Sequence, residues 1–280
     1  MRISVRQLGD ILGQYYGGMS LKSIRRQFEQ QHQISPSRSS IYRWLSKFTK
    51  IAVNEAKAYK PDVGDVWIAD ETALNIGGSH RVWFWDLIDT KTRFLISSHI
   101  STSRTIEDAK ILAEKASERT GKIPKFIITD KLQAYLDAFE QVWGADATHL
   151  QSRGLSAPHL NTNLIERFHG SLKARTKVMR GMRDIKTARL LMDGWLVHYN
   201  FFRPHEALGD CTPAEKAGIR FPAQNWLDVV KSQETPKAKD ADSQRIQFIR
   251  ASPKVKRTRK RRKAIRQHSK PSVSLKGVRV

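Results

Sequence analysis

Three acidic residues stand in segments that have the character of strands or helices rather than loops. They are Asp70 in VWIADET, Asp130 in IITDK and Glu166 in NTNLIERFHGSLK. Three carboxylates held together repel one another unless a cation lies between them. Mg²⁺ and Mn²⁺ suit such oxygen ligands, and two ions about 4 Å apart can hold the attacking and leaving oxygens of a phosphodiester in line. A fold that brings the three together would therefore cleave or transfer nucleic-acid strands. Each residue alone is equally well explained as a solvated or capping residue.

The segment around Glu166 is predicted to be an amphipathic helix, Asn161–Lys173. Glu166 and Lys173 fall about 20° apart on its polar face, two turns from each other. That spacing is too long for a good helical ion pair, which needs three or four residues. A metal for Glu166 and a phosphate for Lys173 would suit these positions, and a solvated polar face is the alternative. The opposite side carries a core-facing stripe: Leu164, Ile165, Phe168 and Leu172.

Three further acidic residues are assigned to structure rather than chemistry. Glu71 follows Asp70 on a strand, so its side chain is expected to point to the opposite face. Asp86 and Asp89 lie on the next strand and are interpreted as structural.

The remaining segments predict the scaffold that would position the acidic residues. Strands and helices alternate as βββαβαβα, which is the order of an RNase H-like α/β domain with a mixed five-stranded sheet flanked by helices. In that fold the first and fourth strands are parallel neighbours, so Asp70 and Asp130 would face one another and Glu166 would approach from a helix. The predicted strands are Val66–Ile76, Arg81–Asp89, Phe94–Ser101, Pro124–Thr129 and Ala147–Gln151, and the predicted helices of this part are Thr105–Arg119, Lys131–Val142 and Asp184–Asn200.

The first 50 residues predict an all-α helix-turn-helix. Helices are expected at 5–16, 21–31 and 38–49, and the third has a basic face. Its first turn, with Arg38 and Ser39, would enter a major groove, while Arg43 and Lys47 would lie nearer the phosphates. A small helical bundle without a DNA role is the alternative.

The charge distribution points to a polyanionic partner. Of the net charge of +23, residues 1–60 carry +8, residues 231–280 carry +14, and residues 61–230 carry +1. Duplex DNA fits such basic ends. A membrane partner is not expected, since the longest run without a charged residue, Gly154–Ile165, is too short to span a bilayer. No signal peptide is expected, and the single cysteine, Cys211, excludes an internal disulfide and a Cys-based zinc module.

The C-terminal segment predicts a disordered basic tail that holds phosphates without reading sequence. Lys254–Arg266 has 9 basic residues in 13. A nuclear-localisation signal and a tail without a role are the alternatives. We therefore divide the chain into a helix-turn-helix domain (1–50), a linker (51–64), an RNase H-like core (65–220) and a basic tail (221–280). The tail residues expected to bind DNA are Lys256, Arg257, Arg259, Lys260, Arg261, Arg262 and Lys263.

The three acidic motifs together resemble those of the DDE transposases of prokaryotic insertion sequences, whose core is shared with retroviral integrases. There are 35 residues between Asp130 and Glu166, as in the family's D-D-35-E pattern, and Lys173 matches its usual basic residue. WLVHYNFFRPHEAL, beginning at Trp195, is also similar to the family. The resemblance covers about 65–219.

What the resemblance implies is a recombinase that binds the terminal inverted repeats of its element. It would hydrolyse a phosphodiester at each end and join the freed 3′-hydroxyl to target DNA. Asp70, Asp130 and Glu166 would ligate two Mg²⁺ or Mn²⁺ ions, and Lys173 would contact terminal phosphate. Asn163 and His169 would position the scissile strand. The protein would act as a homodimer or higher multimer on duplex DNA, associated with the nucleoid in a prokaryotic cytoplasm.

Two other functions fit the residues. One is a catalytically inactive, transposase-derived DNA-binding protein, although all three acidic positions and Lys173 are present. The other is an RNase H-like structure-specific nuclease, which the helix-turn-helix disfavours because hybrid cleavage needs no sequence readout.

Overall fold

The computed structural model describes residues 3–77, 80–152, 163–179, 182 and 184–233. All five predicted strands are present, with boundaries that differ from the prediction by at most two residues. They are β1 (Val66–Ile76), β2 (His80–Asp89), β3 (Leu95–Ser101), β4 (Phe126–Thr129) and β5 (Thr148–Gln151).

The strands form one mixed sheet in the order β3-β2-β1-β4-β5. β1 pairs with β2 in antiparallel and with β4 in parallel orientation, and β4 pairs with β5 in parallel. The apolar run of β4 buries Ile127 and Ile128 because a central parallel strand is covered on both faces. This arrangement confirms the predicted RNase H-like fold, a mixed five-stranded sheet flanked by helices.

The helices described are α1 (Val5–Gly17), α2 (Leu21–His32), α3 (Arg38–Ala56), α4 (Ile106–Thr120), α5 (Gln133–Trp143), α6 (Asn163–Thr176), α7 (Ile185–Val197), α8 (Pro213–Lys216) and α9 (Trp226–Lys231). A serine side chain caps each of the first three helices, at Ser4, Ser20 and Ser37, by accepting a backbone N–H of the first turn. The predicted helix Asp184–Asn200 changes into a π-helical turn at His198–Phe202.

The third helix is longer than predicted. It was expected to end at residue 49, but α3 continues to Ala56 and occupies the first part of the expected linker, 51–64. The reason is that its buried stripe does not stop: Ala52 and Ala56 continue the line of Leu45 and Phe48 at helical spacing.

The N-terminal helices pack directly on the rest of the folded unit. α3 lies against α7, and α1 lies against α9. Beside α7, the hydroxyls of Tyr16 of α1 and Thr49 of α3 are 2.5 Å apart and buried. A Cβ on Gly194 of α7 would lie 2.2 Å from the Tyr16 hydroxyl and 2.6 Å from Thr49 Cγ2. The close approach of these helices therefore requires glycine at residue 194.

The folded part extends past residue 220, where the tail was expected to begin. In α9, Trp226 and Val229 are buried in the core. The prediction missed this helix because it is only 6 residues long. No helix among the described residues combines the length and apolar character needed to cross a membrane.

Some predictions lie outside the described residues. They concern the predicted start of the helix at Asn161 and the basic tail beyond residue 233 with its predicted DNA-binding residues in 256–263.

Candidate active site

Asp70 and Asp130 come together through the register of two parallel strands. Ile68 of β1 pairs with Ile128 of β4, so residues 70 and 130 each lie two positions further along adjacent strands. Carboxylate oxygens of Asp70, Asp130 and Glu71 lie within 4.8 Å of one another. The juxtaposition of the two aspartates is therefore the one that the sequence predicts.

Glu71 is an unexpected member of this group. As the alternation of the strand predicts, its side chain points towards α5, where Oε2 accepts a hydrogen bond of 2.7 Å from the Tyr135 hydroxyl. Its other oxygen accepts a hydrogen bond from Arg104. The carboxylate nevertheless approaches Asp130, because β4 ends at Thr129 and, among the described residues, no strand pairs with β1 on that side beyond Ile68, whereas β2 continues on the other side. Alternation alone could not reveal this gap.

The Asp70 carboxylate is held from two sides. Its Oδ1 accepts the backbone N–H of Glu71 at 2.9 Å. Its Oδ2 lies 3.4 Å from Nδ1 of His169, which projects from α6. The other ring nitrogen of His169, Nε2, lies 2.7 Å from Oδ1 of Asp86. Asp70 and Asp86 are direct partners across β1 and β2, so one histidine reaches both carboxylates.

Burial dominates the electrostatics of this group. Burial raises the pKa of Asp70 to about 7, although His169 acts in the opposite direction. Burial likewise raises the pKa of Asp86 against the influence of His169. For His169 itself, burial acts to lower the pKa, but the two carboxylates outweigh burial and raise it. Additional positive charge nearby would therefore favour the charged form of Asp70.

The donor set fits a hard divalent cation. Mg²⁺ binds oxygen at about 2.1 Å, so its ligand atoms lie up to about 4.2 Å apart. The oxygens of the group Asp70, Glu71 and Asp130, within 4.8 Å of each other, need only small side-chain movements to reach that spacing. Asp130 is already oriented, because its Oδ1 accepts the backbone N–H of Leu132 at 2.9 Å.

The other catalytic candidates lie on α6. Glu166 is exposed and stands three residues before His169, which is one turn. Among the described residues it is not part of the group formed by Asp70, Glu71 and Asp130. Asn163 and Lys173 are also exposed on this helix. His169, in contrast, has a side chain only 8% exposed, so it faces the two aspartates, Asp70 and Asp86, rather than solvent.

The residues predicted to contact DNA from α3 are on the surface. Arg38, Ser39, Arg43 and Lys47 are all exposed. The first turns of α3 line a groove of about 860 Å³, to which α2 contributes Lys22 and the segment after α6 contributes Lys177. Lys177 lies one turn beyond Lys173 along the chain, and its backbone N–H donates to the Lys173 carbonyl at 3.0 Å. The cations Lys22, Arg38, Arg43 and Lys177 thus line one groove.

A mixed sheet of this order, with one acidic residue within the first strand and another directly after the parallel strand beside it, defines the class of RNase H-like domains. The family model of the DDE domain of IS240-type transposases matches residues 64–205, half of the chain. The chain therefore belongs to the DDE transposases, a family of polynucleotidyl transferases whose core is of the retroviral-integrase type.

Retroviral integrases are among the solved structures that this chain is similar to. The HTLV-2 integrase catalytic core domain in complex with magnesium is 17% identical, with a TM-score of 0.42 over 55% of this chain and 94% of that chain. The catalytic core domain of BIV integrase is 18% identical, with a TM-score of 0.41 over 55% of this chain and 93% of that chain. In a comparison by sequence, no curated protein matches.

Proposed function

We propose that this protein is a transposase that binds the terminal inverted repeats of its element, hydrolyses a phosphodiester at each end and joins the freed 3′-hydroxyl to target DNA. The observation that carries this proposal is the approach of Asp70, within β1, and Asp130, directly after β4, in a chain that belongs to the DDE family. Strand transfer of this kind proceeds without a covalent enzyme intermediate.

Asp70, Asp130 and Glu166 hold two Mg²⁺ or Mn²⁺ ions in this proposal. When bound, the ions supply charge stabilisation and activate the attacking oxygen of an in-line displacement. Glu166 is carried on α6, and the contact between His169 and Asp70 ties that helix to β1. Lys173, on the same face as Glu166, binds the phosphate next to the scissile bond, and Asn163 orients the strand one turn earlier.

The DNA end is held by α3 and by the segment after α6. Arg38 and Ser39 read base edges, while Arg43, Lys47 and Lys177 bind phosphates. Four of these five side chains line or flank the groove between α3 and the segment after α6. The basic segment 256–263 adds sequence-independent affinity that falls steeply with salt.

Two element ends must be brought together before joining, so we infer that the protein acts as a homodimer or higher multimer on DNA. We place it in the cytoplasm of a prokaryotic cell, at the nucleoid, because insertion-sequence transposases act on the chromosome.

The test uses a labelled duplex that carries the element's own end, incubated with wild type or Asp70→Asn. The variant is expected to give the wild-type footprint and no nick, because one metal-ligand charge is lost far from α3. Cleavage by Asp70→Asn would overturn the assignment of Asp70. Cleavage of RNA–DNA hybrids in preference to the element end would favour a structure-specific nuclease instead.

A further inference from the structure

We propose that His169 and Asp86 are positioning residues, which fix the orientation of the Asp70 carboxylate and the distance between α6 and β1. This inference rests on the proposed function, because it takes Asp70 to be a metal ligand.

The geometry places His169 between two carboxylates on neighbouring strands. Its Nε2 lies 2.7 Å from Asp86 Oδ1, and its Nδ1 lies 3.4 Å from Asp70 Oδ2. The side chain of His169 is 8% exposed and that of Asp86 is fully buried. Because both ring nitrogens face a carboxylate, a rotation of the imidazole would break both contacts at once.

Stability alone does not explain a buried pair of this kind. Apolar residues of similar volume usually replace a buried ion pair without loss of stability. Asp86 is also incompletely satisfied, since its Oδ2 has no hydrogen-bond partner within the described part of the chain. The buried Asp86 holds His169 beside Asp70, and the orientation of the Asp70 carboxylate explains this arrangement better than stability does.

The contact completes the orientation of Asp70. Its Oδ1 already accepts the backbone N–H of Glu71 at 2.9 Å, and His169 approaches Oδ2. A carboxylate has about four lone-pair sites, so each oxygen keeps one for a cation while the group is held in one rotamer. Partners that orient metal ligands in this way typically change metal affinity or activity by 10- to 100-fold when they are removed.

The same histidine also fixes the helix that carries Glu166. Glu166 precedes His169 by three residues, which is one turn, so both are set by the same stretch of α6. The His169 contact therefore determines how far Glu166 lies from Asp70. Loss of the contact should loosen two of the three proposed ligands together.

The experiment measures Mn²⁺ binding to the full-length protein without DNA, from the electron paramagnetic resonance signal of free Mn²⁺. The variants are His169→Gln, Asp86→Asn and Asp70→Asn. A matched control is His99→Gln, because His99 and Asp108 form another His–Asp pair, 3.2 Å apart and each 10% exposed, between β3 and α4. Melting curves in EDTA show that each variant is folded at the temperature of the titration.

We expect His169→Gln to weaken Mn²⁺ binding by about 10-fold or more, Asp86→Asn to weaken it in the same direction, and His99→Gln to leave it unchanged. Wild-type affinity in folded His169→Gln and Asp86→Asn, with loss in Asp70→Asn, would overturn the positioning role and leave the metal assignment intact. Unchanged binding in Asp70→Asn would overturn the metal assignment itself. If His169→Gln does not fold, Asp86→Asn decides the question.

Discussion

The packing of the N-terminal helices on the catalytic core can be tested at one glycine. Gly194→Ala would place a methyl group 2.2 Å from the Tyr16 hydroxyl and 2.6 Å from Thr49 Cγ2. Tyr16 and Thr49 are both fully buried, so neither can move aside without disturbing its neighbours. The substitution should therefore force α1 and α3 away from α7.

The magnitude follows from three contributions. Alanine is favoured over glycine inside a helix by about 1 kcal/mol. Overpacking of a dense core costs about 1–3 kcal/mol, and this contact is at the upper end. Loss of the buried hydrogen bond between Tyr16 and Thr49 costs about 1 kcal/mol more. The net expectation is a destabilisation of about 2–3 kcal/mol.

The assay is urea unfolding of wild type, Gly194→Ala and Gly13→Ala. Gly13 is a matched control, because it also lies inside a helix but a Cβ there would meet nothing within 4 Å. Gly13→Ala should stabilise the protein by up to about 1 kcal/mol through helix propensity alone. Equal stability of the two variants would refute the close packing described here.

Four further predictions concern charge. Burial raises the pKa of Asp193 from 3.8 to about 6. Because the unfolded chain loses this proton at lower pH than the folded protein, the free energy of unfolding falls as pH rises between these two pKa values. Asp193→Asn should then be more stable than wild type by up to about 3 kcal/mol at pH 8 and equal to it near pH 4, by urea titration at both pH values. Arg43→Ala should weaken binding to the element end. It should also lower, by about 1, the slope of the logarithm of the binding constant against the logarithm of salt concentration, measured by filter binding. The same measurements on Arg220→Ala, at an exposed arginine, should show neither change. Glu166→Gln should abolish cleavage in a protein that still unfolds cooperatively on heating. The Glu71 carboxylate accepts hydrogen bonds from Tyr135 and Arg104. Glu71→Gln should therefore lower the melting temperature and retain measurable cleavage in the same assays.

Much of the scaffold could be predicted from the sequence because its signals are local. The segment VWIADETALNI of β1 and the apolar run of β4 identify two strands, and the order of elements then places Asp70 beside Asp130. The end of α3 was misjudged for a local reason as well: Ala52 and Ala56 continue its buried stripe, but alanine is a weak sign of burial.

The environment of the site could not be predicted in the same way. Asp86 looked structural because nothing on its own strand shows that a histidine 83 residues later reaches it. His169 lies next to the polar face of α6 in projection, yet it is buried because that part of the helix faces the sheet. Glu71 joins the acidic group only because β4 ends early. These facts depend on tertiary packing, which spacing along the chain does not encode.

The most direct test of the central claim is strand cleavage and joining on a labelled duplex with the element's end, in Mg²⁺, Mn²⁺ or EDTA, with wild type beside Asp130→Asn. The active site described here predicts metal-dependent cutting at the end and joined products for wild type, both lost in Asp130→Asn and in EDTA. Specific binding without cutting in either metal, under conditions where multimers assemble on the ends, would contradict it and identify a DNA-binding protein without catalytic activity.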